Sequence, residues 1–294
     1  MDVFLPRTLD EALEIKAAHP EALPIAGGTD VMVELNFDRQ RPDAIVDVSR
    51  LPELRVWQRQ DGHVFLGAGV TYSRIMAELH GFVPLAQASR TVGSPQIRNR
   101  ATVGGNLGTA SPAGDALPVL AAYDADIQLA SAGGGRRSLP WHAFHVGVKK
   151  TALRPDELIL GVRWKVLRGP GSFSKIGTRN AMVISLAGLC LVLDQEDRTV
   201  RVALGSVAPT ILRAPDAEAF AAAALEHAGA WEDPAATLGP GELEGFGQLA
   251  AAAARPIDDV RGTAAYRRHA CEVLARRALA WAMDDRRATN GGPG

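Results

Sequence analysis

Two glycine-rich segments carry residue types suited to holding a phosphorylated ligand. The first is Ala26-Gly27-Gly28-Thr29-Asp30, where the apolar run Leu23 to Ala26 gives way to a helical pattern. Two glycines at a strand end allow positive φ and close approach of a ligand to the backbone. A helix start beyond them offers unpaired N–H groups and a partial positive charge. The same residues also read as a tight strand-to-helix turn with Thr29 as N-cap. The second segment runs Thr102-Val103-Gly104-Gly105-Asn106-Leu107-Gly108-Thr109-Ala110-Ser111-Pro112-Ala113-Gly114-Asp115. Gly104 and Gly105 can present successive N–H groups as an anion-binding nest. Thr102, Thr109 and Ser111 add hydroxyls, and Asp115, an acceptor only, suits hydroxyls of a sugar or ribityl chain. Asp115 equally reads as the N-cap of a helix from Ala116 to Tyr123. Arg98 and Arg100, just before the glycine pair, either neutralise a pyrophosphate or tie the loop down.

Other chemistries find no support. No Gly-Lys dipeptide occurs, so there is no Walker A loop; Gly245, Gly247 and Ala250 match G-x-G-x-x-A but follow Pro240-Gly241-Glu242 rather than a strand, which marks a chance match. There is no G-x-S-x-G elbow and no H-E-x-x-H. His142 and His145 have no third ligand nearby and read as packed or surface residues, so no metal site is expected. Cys190 and Cys271, the only cysteines, are far apart, which excludes a cysteine-ligated iron–sulfur cluster, a zinc finger and a disulfide scaffold within this chain. No catalytic acid or nucleophile stands out.

The elements that must position these segments follow from periodicity. Thr8 and Glu11 form a capping box ahead of the stripe Leu9, Ala12, Leu13. A helix from Thr29 to about Leu35 and a strand from Ala44 to Val48 complete a βαβ-like opening. Trp57 to Gly67 reads as two strands turning at Asp61-Gly62, and Thr71 to Leu79 as a helix. Residues 92–118, rich in Gly, Asn, Ser, Thr and Pro yet poorly charged, read as a long functional loop. Strands resume near Ile127 and from Leu158 to Val166, and Arg168-Gly169-Pro170-Gly171 reads as a linker. Strands at Phe173 to Ile176, Ile184 to Leu193 and Val200 to Val207 precede alanine-rich helices at about 215–227, 242–254 and 263–284. The order predicts an α+β chain. At 294 residues, two domains are expected: residues 1–168, in subdomains of about 1–55 and 56–168, and residues 172–287, with a disordered tail at 288–294.

Charge and composition narrow the partners. With 32 basic and 33 acidic residues, net −1, and aromatics at 5%, nucleic acid and anionic membranes are not expected as partners. The longest apolar run, Val183 to Leu193, is broken by Ser185 and falls short of the ~18 residues of a membrane span. With no secretory pattern at the N-terminus, a cytoplasmic protein with reduced thiols is expected. Lys149-Lys150 and Arg136-Arg137 read as surface charge. The pairs Arg267-Arg268, Arg276-Arg277 and Arg286-Arg287 read as a solvated, ion-paired face or an acidic partner's surface.

Taken together, AGGTD at 26–30 and TVGGNLGTASPAGDALPVL at 102–120 resemble the FAD-binding medium subunit of the molybdenum hydroxylases, the family of xanthine dehydrogenase and carbon monoxide dehydrogenase. FHVGVKKTALRPDELI at 144–159, FSKIGTRNAM at 173–182 and DDVRGTAAYRRH at 258–269 extend the resemblance, in order, over nearly the whole chain. SPQIRNRATVGGNLGTASPAGD with RNAMVIS is most similar to the bacterial xanthine dehydrogenase type. The resemblance implies a PCMH-type FAD-binding domain of two small α/β subdomains, then a C-terminal three-stranded sheet with helices. It implies that Gly27, Gly28 and Thr29, flanked by Pro24, Ile25, Ala26, Asp30 and Val31, meet the FAD pyrophosphate, joined by Thr102, Val103, Gly104, Gly105 and Asn106. Thr109 and Ser111 complete the polar set. Asp115 would hold sugar or ribityl hydroxyls, Ile159 would offer backbone to the flavin ring, Lys175 would sit near the ring, and Val92 would border the adenine or ring. No His or Cys lies between His80 and His142, so attachment of FAD is expected to be non-covalent. Electrons would arrive from [2Fe-2S] clusters on an iron–sulfur subunit, fed by a molybdopterin-binding subunit, and leave to NAD or another acceptor. Many relatives carry Asp where this chain has Val183, which changes the charge beside the flavin. A free-standing nucleotide-binding module and a self-contained flavin oxidase are the alternatives.

Overall fold

A computed structural model describes residues 1–290. By packing, the chain divides into two compact units interleaved in sequence: residues 1–79, 92–111 and 124–165 form one, and 80–91, 112–123 and 166 onward the other. The expected boundary at 168 divides the sequence, but packing crosses it twice. Helices Val83–Thr91 and Leu117–Ala122 lie against the sheet of the second unit.

The first unit contains a three-stranded parallel sheet in which Asp2–Phe4 and Leu23–Ile25 flank Ala44–Asp47. Helix Leu9–Ala18 connects the first two strands; the Thr8 hydroxyl accepts the Glu11 N–H, as the capping pattern predicts. A five-stranded antiparallel sheet follows, with Trp57–Gln60 and Gly135–Pro140 at its edges and Leu158–Lys165 at its centre. Leu9, Leu13, Val46, Leu51, Leu54, Leu158 and Leu160 form one apolar core that joins the two sheets.

Arg137, expected as surface charge, instead completes this unit. Its guanidinium grips Glu157 in a two-pronged pair at 2.5 and 2.7 Å and also donates to the Ala152 carbonyl. Burial pushes the Glu157 carboxyl up, but Arg137 and the Arg154 N–H outweigh it and hold the group below the usual range. A depressed carboxylate contributes stability above its unfolded pKa and loses it as pH falls through the folded value. Acid melting curves are therefore expected to show Glu157→Gln losing less stability than wild type as pH falls through and below the ordinary glutamate range.

The second unit is built on a four-stranded antiparallel meander, Gly171–Ile176, Ala187–Asp194, Thr199–Gly205 and the short Leu212–Arg213. The last, two-residue strand adds to the three expected. Leu189, Leu191 and Leu193 pack with helices Pro215–His227, Pro240–Ala253 and Ala264–Asn290. The whole of Ala187–Asp194 is buried, because Val83–Thr91 and Leu117–Ala122 also pack on this sheet. The G-x-G-x-x-A match lies inside Pro240–Ala253, so it is no nucleotide loop. Arg267 and Arg286, expected on a solvated face, are buried. Arg267 donates to the Leu186 and Ser206 carbonyls and pairs with Asp259. Of the expected tail at 288–294, residues 288–290 continue the last helix and 291–294 lie outside the described residues.

Both cysteines are fully buried. Burial pushes the Cys271 thiol up to about 12, and Cys190 higher still. A thiol that cannot ionise is a poor nucleophile. Titration of the native protein with an aromatic disulfide reagent is expected to be silent at both, with both reacting after denaturation.

Candidate functional site

The segment after strand Leu23–Ile25 exposes its donors. Gly28 sits at φ +76°, which turns the chain into helix Val31–Asn36. Among the described residues, the amides of Gly27, Gly28, Thr29, Asp30 and Val31 have no protein acceptor. Thr29 is not the N-cap; Asp30 occupies that position and its side chain caps nothing. Asp30 instead accepts the Thr109 hydroxyl at 2.8 Å, which links the two glycine segments. Gly27 makes that approach possible: a β-carbon there would lie 2.0 Å from the Arg100 carbonyl oxygen. Pro24 and Ile25 belong to the strand that supports this turn.

The second segment differs from the expected open loop. Residues 95–100, 103–109 and 117–122 are short helices, started by Ser94 and Thr102 side-chain caps and by Pro95 and Pro118 in first turns. Gly104 and Gly105 are therefore the first turn of a helix, and their donors are committed. Val103 N–H donates to the Val70 carbonyl, Gly104 N–H to the Ala68 carbonyl and Gly105 N–H to the Thr102 hydroxyl. This corrects the expected nest. Gly104 serves close packing, since a β-carbon would fall 2.5 Å from that of Ala68. Asn106 Oδ1 is buried with no hydrogen-bond partner, a polar atom that a bound group would satisfy. Ile159 lies at an irregularity of strand Leu158–Lys165, opposite Leu129; its Cδ1 is 3.7 Å from the point a Gly108 β-carbon would occupy. Ser111 ends this stretch of the first unit, with Ala110 before it in the left-handed region at φ 46°.

Of the two arginines, Arg98 ties the loop, donating to the Val92 and Gly93 carbonyls at 3.0 Å. Val92 is held by that contact. Arg100 is exposed, and its Nε reaches the Gly27 carbonyl only at 3.5 Å. His142 and His145 do not share a helix face: Trp141–Phe144 is a single turn and His145 begins the next strand, its Nε2 3.3 Å from the Leu107 carbonyl. Burial lowers the His145 pKa, favouring the neutral ring.

Asp115 and Lys175 belong to the second unit, where they pair. Lys175 Nζ lies 2.6 Å from Asp115 Oδ2, both side chains almost fully buried, and also donates to the Thr91 carbonyl at 3.2 Å. The Thr91 hydroxyl lies 2.9 Å from the same carboxylate oxygen. Burial pushes the Asp115 carboxyl up against the opposing pull of Lys175 and Thr91. Asp115 caps nothing, since helix Leu117–Ala122 starts after Ala116 without a side-chain cap. Its Oδ1 is buried with no partner. Thr91 was invisible in the sequence, because nothing local marks a threonine that meets an aspartate 24 residues on. Val183 packs its methyls against Gly177.

The donor array at Gly27–Val31 fits a pyrophosphate in the first unit, and the orphaned Asn106 oxygen, an acceptor, fits a hydroxyl of the same cofactor. Known proteins agree. Residues 1–164 match the family described as the FAD binding domain in molybdopterin dehydrogenase, and 172–282 match the carbon monoxide dehydrogenase flavoprotein C-terminal domain. The chain is 33% identical over 213 residues to the nicotinate dehydrogenase FAD-subunit of Eubacterium barkeri, covering 68% of this chain and 70% of that one. It is 33% identical over 222 residues to the putative xanthine dehydrogenase FAD-binding subunit of Escherichia coli (strain K12), covering 72% and 75%. A solved carbon monoxide dehydrogenase from Hydrogenophaga pseudoflava superimposes with a TM-score of 0.84 at 26% identity, over 96% of this chain and 98% of that one. The chain belongs to the family of FAD-binding flavoprotein subunits of molybdenum hydroxylases.

Proposed function

We propose that this chain is the electron-transfer subunit of a xanthine dehydrogenase-like hydroxylase, relaying electrons from a partner iron–sulfur subunit to NAD or another acceptor. The observation that carries the site is the run of unpaired amides from Gly27 to Val31 at a helix start. These amides take the FAD pyrophosphate, joined by the Thr102 hydroxyl on the neighbouring segment, whose Asn106 Oδ1 accepts from a cofactor hydroxyl. Ile159 and Val92, of the same unit, line the cofactor; in the second unit, the unpartnered Oδ1 of Asp115 is an acceptor suited to a sugar or ribityl hydroxyl. Bound non-covalently, FAD supplies the redox chemistry, and the residues bind and orient it. The purine class rests on the 94–115 and 179–185 motifs and on the xanthine-type relative. Partner subunits hold the molybdopterin and [2Fe-2S] centres. Among the described residues, no helix is long and apolar enough to cross a membrane, and we place the protein in the cytoplasm.

The test is reconstitution. The purified chain should take up FAD in one-to-one ratio and should not be reduced by xanthine alone. Co-purified with its iron–sulfur and molybdopterin subunits, it should be reduced by xanthine and reoxidised by NAD. Reduction of the isolated chain would favour a self-contained oxidase, and absence of FAD uptake a plain nucleotide-binding module. Reduction of the complex by nicotinate or carbon monoxide but not xanthine would reassign the substrate.

A further inference from the structure

We propose that Arg50, Arg55 and Arg100 form a recognition site for a nucleotide phosphate in the first unit, resting on the reading that this unit holds FAD. The three line one cavity of about 300 Å³, beside Gly27. Arg50 and Arg55 make no side-chain hydrogen bond or ion pair within the described residues, and Arg100 makes only the long contact to Gly27. An unpaired guanidinium at a cavity wall is a fork shaped for phosphate.

The other polar groups facing the cavity are donors as well. The Thr71 and Thr102 oxygens already accept backbone N–H groups, which leaves their hydroxyl protons to give. Asn99 accepts the Ser73 hydroxyl through Oδ1, which leaves its amide donors. Asp47 is the exception: one oxygen caps the Ser49 N–H, and the other is an acceptor suited to a ribose hydroxyl. Three guanidinium charges against one carboxylate favour an anion. An adjoining cavity of about 300 Å³ shares Gly27, Asp47 and Arg100 and adds an apolar wall of Val3, Ile25, Met32 and Ile45. Phosphate forks, a ribose acceptor and an apolar wall together describe a nucleotide. The ligand is either the adenosine-phosphate half of the bound FAD or a second, separate nucleotide; the two share this chemistry.

Calorimetric titration of the full chain with ADP, before and after loading with FAD, tests the site. Wild-type FAD-free protein should bind ADP, and Arg50→Gln/Arg55→Gln should weaken binding by about tenfold or more, the scale of charged hydrogen bonds. Added salt should weaken the wild type more than the variant. These side chains are exposed, so unchanged melting temperatures should show that the variant folds. If bound FAD blocks ADP, the site belongs to the FAD itself; if ADP still binds, it takes a second nucleotide. ADP binding to neither form, or with equal affinity to wild type and variant, overturns the proposal. Flavin absorbance is read on the same samples. A chain that binds ADP but retains no FAD would sink the flavoprotein reading and leave the arginine site standing.

Discussion

Asp115→Ala is expected to lower the stability of the flavin-free protein by about 3–5 kcal/mol, the cost of leaving one half of a buried ion pair uncompensated. Lys175 and Asp115 are 9% and 6% exposed and 2.6 Å apart, so removing the carboxylate strands an ammonium that water cannot reach. The loss of a helix cap would cost only about 1 kcal/mol, and Asp115 is not a cap. A purely ligand-binding aspartate would leave the flavin-free melting point untouched. Loss of the buried pair instead lowers the stability of flavin-free and FAD-loaded protein alike. Any hydrogen bond from the ligand to the unpartnered Oδ1 shows as an additional shrinkage of the FAD-induced rise in melting temperature. Denaturant melts of Asp115→Leu, Lys175→Met and the double variant separate the pair from simple packing. Replacing both charges with apolar groups of similar size should recover most of the loss. A double variant no more stable than the worse single variant would sink the ion-pair account.

What the sequence revealed of the fold was local. The Thr8 cap, the hairpin turning at Asp61-Gly62 and helix Pro215–His227 are set by residues within a few positions of each other. Residues 92–118 misled because their helices have six or seven residues, too few for an apolar period to declare itself, and because glycine composition masks the Ser94 and Thr102 caps. The interleaving of the two units was not legible, since it depends on Val83–Thr91 meeting strand Gly171–Ile176 far along the chain. The site divides in the same way. The Gly27–Val31 array follows from a strand end, two glycines and a helix start. The misread pair is Gly104-Gly105, whose donors are taken by the carbonyl of Ala68 and the capping hydroxyl of Thr102. Composition shows which residues can expose donors; the tertiary fold determines which donors remain free.

Gly27→Ala is accordingly expected to abolish FAD retention, whereas Gly105→Ala is expected to keep it. A β-carbon on Gly27 would stand 2.0 Å from the Arg100 oxygen and 2.5 Å from its carbonyl carbon. Both are backbone atoms just ahead of the Thr102 cap, so no rotamer change relieves the clash and the two segments must part. Overpacking of this kind costs about 1–3 kcal/mol or more, and it moves the amide array itself. At Gly105 a β-carbon meets only the Thr102 hydroxyl, at 3.3 Å, and the backbone is helical, where alanine is favoured over glycine. Gly105→Val, larger and β-branched, tests whether the phosphate also approaches the second segment: FAD loss there with a wild-type melting point would indicate direct contact. Flavin absorbance per chain after gel filtration, with melting temperatures of each variant, decides the order. Stoichiometric FAD in Gly27→Ala together with its loss in Gly105→Ala would move the phosphate cradle to the second segment and remove the role assigned to Gly27–Val31.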